Sequence, residues 1–208
     1  MMKRILLLLM LPAFFLTAQA QDDGDMAYRV SFTGAAPTIC DFVDALLSHA
    51  EDEALGVFDG YWQLYKKGNG LPPAVKIKVD KSNGFVSYSH LYAEDNSKQT
   101  IETCYWNCKD GRHKIVGQVI ATYQNGRPVM GQYDGITFYT YDSKTRMLEW
   151  TPTSDVCGDE FNEIGLTDGT VINLPDKGKD ISLWLNTSNG MKHYTLKWNG
   201  GGFDFIKK

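Results

Sequence analysis

A chain of 208 residues with 21 basic and 25 acidic side chains, formal charge −4, is long enough for one well-filled core. It is too acidic to carry the basic stripe by which proteins displace counterions from nucleic acid, so a nucleic-acid partner is not expected. Past the N-terminus no run is apolar enough for a membrane span, and no Pro/Ser-rich linker divides the chain.

Residues 1–20 read as a signal peptide. Lys3 and Arg4 form a basic start, Ile5 to Leu16 an apolar run broken only by Pro12, and Ala18-Gln19-Ala20 the small-x-small pattern that signal peptidase cuts after. The run is too short to cross a bilayer. Cleavage removes Lys3 and Arg4 and takes the charge from −4 to −6. No cysteine stands at the cut, so the expected location is periplasmic or extracellular, without a lipid anchor. Residues 21–37, which open on the acidic Gln21 to Asp25, are expected to be a flexible lead-in to a single domain over 38–208.

Helical spacing comes first. Thr38 with Asp41 imitates a capping box, and Ile39, Phe42, Val43, Leu46, Leu47, Ala50 and Ala54 follow at helical spacing, predicting an amphipathic helix that ends near Gly56. Phe58, Tyr61, Trp62 and Tyr65 extend the rhythm into a short second helix to about Lys67. Beyond Pro72-Pro73 the period changes to two. Val75/Ile77/Val79, Ile181/Leu183/Leu185, Tyr194/Leu196/Trp198 and Phe203/Phe205 alternate with polar residues, and further strands are predicted near 85–92, 100–107, 113–123, 135–141, 146–151 and 170–173. Turn-forming pairs punctuate them: Asn83-Gly84, Asp110-Gly111, Asn125-Gly126, Asp168-Gly169 and Asn189-Gly190. The predicted class is α+β, predominantly β: one or two N-terminal helices packed on a curved antiparallel sheet, sandwich or partial barrel of about nine strands.

Four cysteines in an exported chain are expected to form disulfides. Along a strand Cys104 and Cys108 fall about 13 Å apart at about 3.3 Å per residue, and a disulfide tolerates a Cα separation of only about 7 Å. Each is therefore expected to pair with Cys40 or Cys157. A metal at Cys104, Cys108 and His113 would lack the second ligand pair of a structural zinc motif, so none is expected.

No G-x-S-x-G, H-E-x-x-H, P-loop or dinucleotide fingerprint occurs. His90, between Tyr88 and Tyr92 on one strand face, is a binding-face candidate. From Met147 to Asp176 there is no basic residue, whereas Glu149, Asp155, Asp159, Glu160, Glu163, Asp168 and Asp176 are acidic. Such a segment steers a basic protein partner. Asp155, Asp159, Glu160, Asn162 and Glu163 also offer calcium several oxygens, without the spacing of a calcium loop; otherwise no cofactor is expected. Tyr139, Tyr141 and Trp150, with Trp184 opposite Leu183 and Leu185, are candidates for an aromatic sheet face that stacks on sugars or grips peptides.

Two functions stay open. The first is an exported, non-enzymatic binding or inhibitor-like module that shows an acidic loop and an aromatic face to a protein or glycan. In size, leader and cysteine number such a chain resembles small exported inhibitors of basic enzymes, periplasmic lysozyme inhibitors among them, with no shared motif. The second is a carboxylate-dependent hydrolase of polysaccharide, for which Glu102 and Glu149 are the candidate acids because glycoside hydrolysis needs only two carboxylates across a cleft.

Overall fold

The computed structural model describes residues 27–48, 53–131, 134–162, 164 and 166–207. The expected leader and the acidic opening of the mature chain lie outside them. Two open antiparallel sheets are formed. The larger comprises β1 (Ala27–Arg29), β2 (Val75–Asp80), β3 (Phe85–Tyr92), β4 (Ser97–Asn107), β5 (His113–Gln124), β6 (Arg127–Val129), β7 (Gly135–Asp142) and β8 (Met147–Thr151). Its order is β1-β8-β7-β5-β4-β3-β2, with β6 paired to the far end of β5. The smaller sheet runs β12-β11-β10-β9, from Phe203–Lys207 through Gly190–Trp198 and Ile181–Thr187 to Val171–Asn173. Helices α1 (Ile39–Leu47) and α2 (Glu53–Lys66) precede β2, and two short helices, α3 (Thr153–Cys157) and α4 (Asp159–Asn162), connect the sheets.

Twelve strands form among the described residues; the two without a predicted counterpart, β1 and β6, are three-residue pieces, too short to leave an alternating pattern. Ala27–Arg29 lies inside the stretch expected to be a flexible lead-in, and it pairs with Met147–Glu149 as an edge strand. The sheets do not close into a barrel; they face each other.

Side-chain alternation sorts the larger sheet into two buried faces. Phe85, Cys104, Trp106, Ile115, Val119 and Phe138 point toward the smaller sheet and meet Ile172, Ile181, Leu183, Leu185, Leu196 and Phe203 in one apolar cluster. From the opposite face Val75, Val86, Tyr88, Ile101 and Ile120 meet Ile39, Val43, Leu47, Phe58 and Trp62 of the helices. Val116, Tyr139, Tyr141 and Leu148 receive Phe42, Ala45 and Leu46. The protein is thus layered as helices, large sheet, small sheet.

Local chemistry explains the boundaries. The Asp41 carboxylate accepts hydrogen bonds from the Thr38 N–H (2.6 Å) and hydroxyl (2.7 Å), fixing the start of α1. Asp44 near its end accepts from Trp62 Nε1 at 2.6 Å and from Lys66 Nζ at 2.6 Å, clamping α2 to α1. Gly56, expected to close the first helix, lies within α2 and lacks the left-handed backbone of a glycine cap. At Asn125-Gly126 both residues have positive φ (51° and 77°), as a two-residue hairpin demands. Gly84, at φ 65°, also admits the Tyr105 ring: a Cβ there would sit 2.6 Å from Cε1.

The disulfide expectation is corrected. Cys40, Cys104, Cys108 and Cys157 are all free thiols. Cys40 packs on the helical side of the larger sheet, whereas Cys104, Cys108 and Cys157 belong to the cluster between the sheets. The sheet itself therefore separates Cys40 from every partner. Burial pushes the thiols of Cys104 and Cys157 up to about 12, which removes thiolate at neutral pH.

Two outcomes follow from this packing. Phe58→Ala, which empties a fully buried site beneath Tyr88, should cost about 3–5 kcal/mol in urea unfolding, while Leu91→Ala on the surface should stay within about 0.5 kcal/mol. Under native conditions iodoacetamide should modify the partly exposed Cys40 and Cys108 before the buried Cys104 and Cys157, as peptide mass mapping over time would record.

Candidate functional site

The acidic segment does not fold into one charged face. Asp155 lies in α3 with its carboxylate against Ser154 Oγ at 3.4 Å, and Asp159 and Glu160 are exposed on α4, where Glu160 pairs with Lys207 at 3.3 Å. Asp168, exposed, accepts the Met130 backbone N–H at 2.6 Å. Glu163 lies outside the described residues. Among those residues no three His, Cys, Asp or Glu side chains gather as a metal ion would require.

Nor are the two candidate catalytic acids brought together. Glu102 reaches Ile136 across Val119, whereas Glu149 stands opposite Thr140, so three strand spacings of about 4.8 Å and four residues of about 3.3 Å separate them. That is roughly 20 Å, against the 5–10 Å or so of glycoside hydrolases. Glu102 instead works as a latch. Its carboxylate accepts the Leu174 N–H at 3.0 Å, and on the same face of β4 Cys104 Sγ donates to Pro175 O at 3.7 Å and Trp106 Nε1 to Lys179 O at 2.8 Å. Three alternate residues of one strand thereby fasten the segment that enters β10.

The aromatic candidates divide. Tyr139 and Tyr141, candidates for an aromatic binding face, lie beneath α1 and β1: Tyr139 is 8 % exposed and Tyr141 0 %, with Phe42 edge-on to the Tyr141 ring at 5.2 Å. Trp150, past the end of β1, remains 47 % exposed. His90 lies under α2 on the helical side, 4.1 Å from the Tyr92 ring and 5.4 Å from Tyr61. Burial lowers its pKa, so its ring is held neutral, and its Nδ1 has no partner.

A coherent exposed surface forms on the outer face of the smaller sheet. Strand alternation buries Ile181, Leu183 and Leu185 and turns Ser182, Trp184 and Asn186 outward, beside His193 and Thr195 of β11 and Ile206 of β12. Trp184 is 41 % exposed, and its cross-strand neighbour His193 packs on it with ring centroids 4.3 Å apart. His193 Nε2 lies 3.0 Å from Ser182 Oγ. This contact joins a serine to a histidine, but among the described residues no carboxylate is hydrogen-bonded to the other ring nitrogen. Its geometry fixes the imidazole beside the indole. From the sequence, Trp184 was recognisable by its position opposite Leu183 and Leu185; the Ser182–His193 contact was not, because the residues lie on different strands.

Comparison of the chain with protein-family models, with characterised proteins and with solved structures found no match in any of the three.

The latch role of Glu102 has a pH signature. Burial raises its carboxyl above the ordinary range, so the folded chain holds that proton more tightly than the unfolded chain, and the group's contribution to stability is lost as pH rises through the folded value. Glu102→Gln keeps an acceptor for Leu174 without the charge. In urea unfolding it should be more stable than the parent at about pH 8 and converge with it toward about pH 3. A gap that widens in acid would remove the explanation.

Proposed function

We propose that the protein is an exported, non-enzymatic binding module whose smaller sheet recognises glycan through the outward face centred on Trp184. One observation carries the reading: a flat, exposed indole braced by His193 and bordered by side chains that can hydrogen-bond to hydroxyl groups. Sugar rings present an apolar face of C–H groups and a rim of hydroxyls, so they match a surface with an aromatic centre and a polar border. Asn173 and Thr195 lie diagonal to Trp184 on the neighbouring strands and Ser182 two residues along its own strand, and they supply donors and acceptors. The inward residues of the same strands anchor the face in the core, so the indole is held on a rigid support and little order is lost on binding.

The wide separation of Glu102 and Glu149 favours binding over hydrolysis. The basic and apolar start of the chain supports export to the periplasm or the exterior. A docked basic protein is the other reading of the exposed carboxylates on α3 and α4, and the same experiment separates the two.

Affinity electrophoresis of the mature chain through gels containing soluble polysaccharides should show retardation by at least one of them. Trp184→Ala should weaken that binding roughly 30-fold, the effect of removing a central anchor worth about 2 kcal/mol. Trp150→Ala should leave it unchanged. Retardation that persists in Trp184→Ala, or that disappears with salt, would sink the glycan reading and point to the charged segment.

A further inference from the structure

At the turn end of the larger sheet three separate stretches meet: the segment before α1 through Phe32 and Pro37, the β4–β5 turn, and the β7–β8 turn. They enclose a pocket of about 470 Å³. Every lining side chain that carries charge at neutral pH is basic, namely Arg112, Lys114 and Arg146, with His113 beside them. Carboxylates stand behind part of this wall. Asp142 accepts from Arg112 Nε at 2.8 Å and from its terminal nitrogen, and Asp110 meets His113 Nδ1 at 2.5 Å.

Lys114 and Arg146 are not neutralised in this way among the described residues. Lys114 hydrogen-bonds the neutral amide of Asn107 and lies 5.0 Å from the Tyr105 ring centre, while the Arg146 guanidinium lies over Phe32 at 4.8 Å. Both cations rest on aromatic rings without an ion-pair partner among the described residues. Arg146 is itself a turn residue of positive φ (60°), and its backbone N–H donates to Asp142 O at 2.8 Å.

Tyr141 supplies the second, independent sign. It lies directly across from Lys114 in the β5–β7 pairing, it is one of the residues that line the pocket, and it is 0 % exposed, yet its hydroxyl has no hydrogen-bond partner among the described residues. A buried phenol without a partner costs about 1–3 kcal/mol and calls for an explanation. Burial raises its pKa against the opposing effect of Arg146, so at neutral pH it is a protonated donor. Two cations without an ion-pair partner among the described residues, in a walled pocket bordered by a residue with an unpartnered donor hydroxyl, are complementary to a group with several acceptor oxygens and negative charge.

We infer that the turn-end pocket is a binding site for a small oxyanion-bearing ligand, a carboxylate or phosphate group, held by Lys114 and Arg146 with the Tyr141 hydroxyl donating to one of its oxygens. The site is independent of the Trp184 face, which lies on the other sheet.

The test is isothermal titration of the full mature chain with inorganic phosphate and, separately, with acetate, at constant ionic strength. Saturable binding of either probe is expected; phosphate alone would assign the ligand as a phosphate ester, and acetate alone as a carboxylate. Lys114→Gln and Arg146→Gln should each weaken binding tenfold or more. Tyr141→Phe should weaken it about tenfold, the effect of losing one hydrogen bond to a charged group, at unchanged or raised thermal stability. Lys76→Gln, on an exposed position of β2, should bind like the parent. The site is refuted if neither probe binds, or if the parent, Tyr141→Phe and Arg146→Gln bind alike. Should a cation variant unfold, Tyr141→Phe, which only deletes an unpartnered atom, still decides the matter.

Discussion

The structure depends on burying the central strands of the larger sheet on both faces. β4 and β5 carry apolar residues in both phases of the alternation: Ile115 and Val119 toward the smaller sheet, Val116 and Ile120 toward the helices. A strand of this kind has no solvent side, so neither covering layer is optional. The constraint also narrows what fits at each point. Gly117 packs in the sandwich core where a Cβ would lie 3.1 Å from Trp106 and 3.2 Å from Phe138, which shows how closely the layers meet there.

The two covered faces differ in chemistry. Tyr88 hydroxyl, His90 Nδ1, Gln99 Oε1, Thr103 Oγ1 and Tyr141 hydroxyl are the buried polar atoms without a partner among the described residues, and strand phase puts all five on the helical side. The core between the sheets is instead saturated: Trp106, Cys104 and Glu102 each find a backbone partner in the segment 174–179. Stability is therefore concentrated between the sheets, while unmet hydrogen-bonding capacity is stored under the helices. Proteins keep such capacity where something other than folding uses it, and the pocket at Tyr141 opens from that layer.

What could be read in the sequence follows from the range of the forces involved. Turn pairs such as Asn125-Gly126 act within two residues, and the helical stripe from Ile39 to Leu47 within three turns, so both are legible without a tertiary context. Strand phase is legible too; it separates Leu183 from Trp184 and Phe138 from Tyr139. Which phase meets water is not, because that depends on what covers it. Tyr139 and Tyr141 look like an open aromatic face until α1 and the edge strand β1 are laid over them. The cysteines fail for the same reason: spacing rules out Cys104 with Cys108 but does not reveal that Cys40 stands across the sheet from the other three. The pocket was invisible because its parts come from three stretches spread over more than a hundred residues, and Lys114, Tyr141 and Arg146 have no shared motif.

Charge is partitioned along the same architecture. The sequence between Met147 and Asp176 is free of basic residues, yet the fold disperses its carboxylates among a helix pair, a backbone bond at Met130 and a salt bridge to Lys207. The turn end draws its cations from β5 and from the β7–β8 turn and gathers them in one cavity. A net negative chain thus gathers a cluster of cations in one walled cavity, where low-dielectric walls concentrate the charges they enclose while solvent screens those on the surface. Sequence runs of like charge are consequently a poor guide to where a folded protein attracts a ligand. Enclosure decides it, and enclosure here is created by the segment that leads into α1 closing over two hairpin turns. The Trp184 face operates on the opposite principle, exposed and uncharged at its centre, on a sheet whose inner residues belong to a different core cluster from the one beneath Tyr141. Separate cores mean that changes at one site should not alter the packing that supports the other, so the two surfaces can serve two different ligands on one chain.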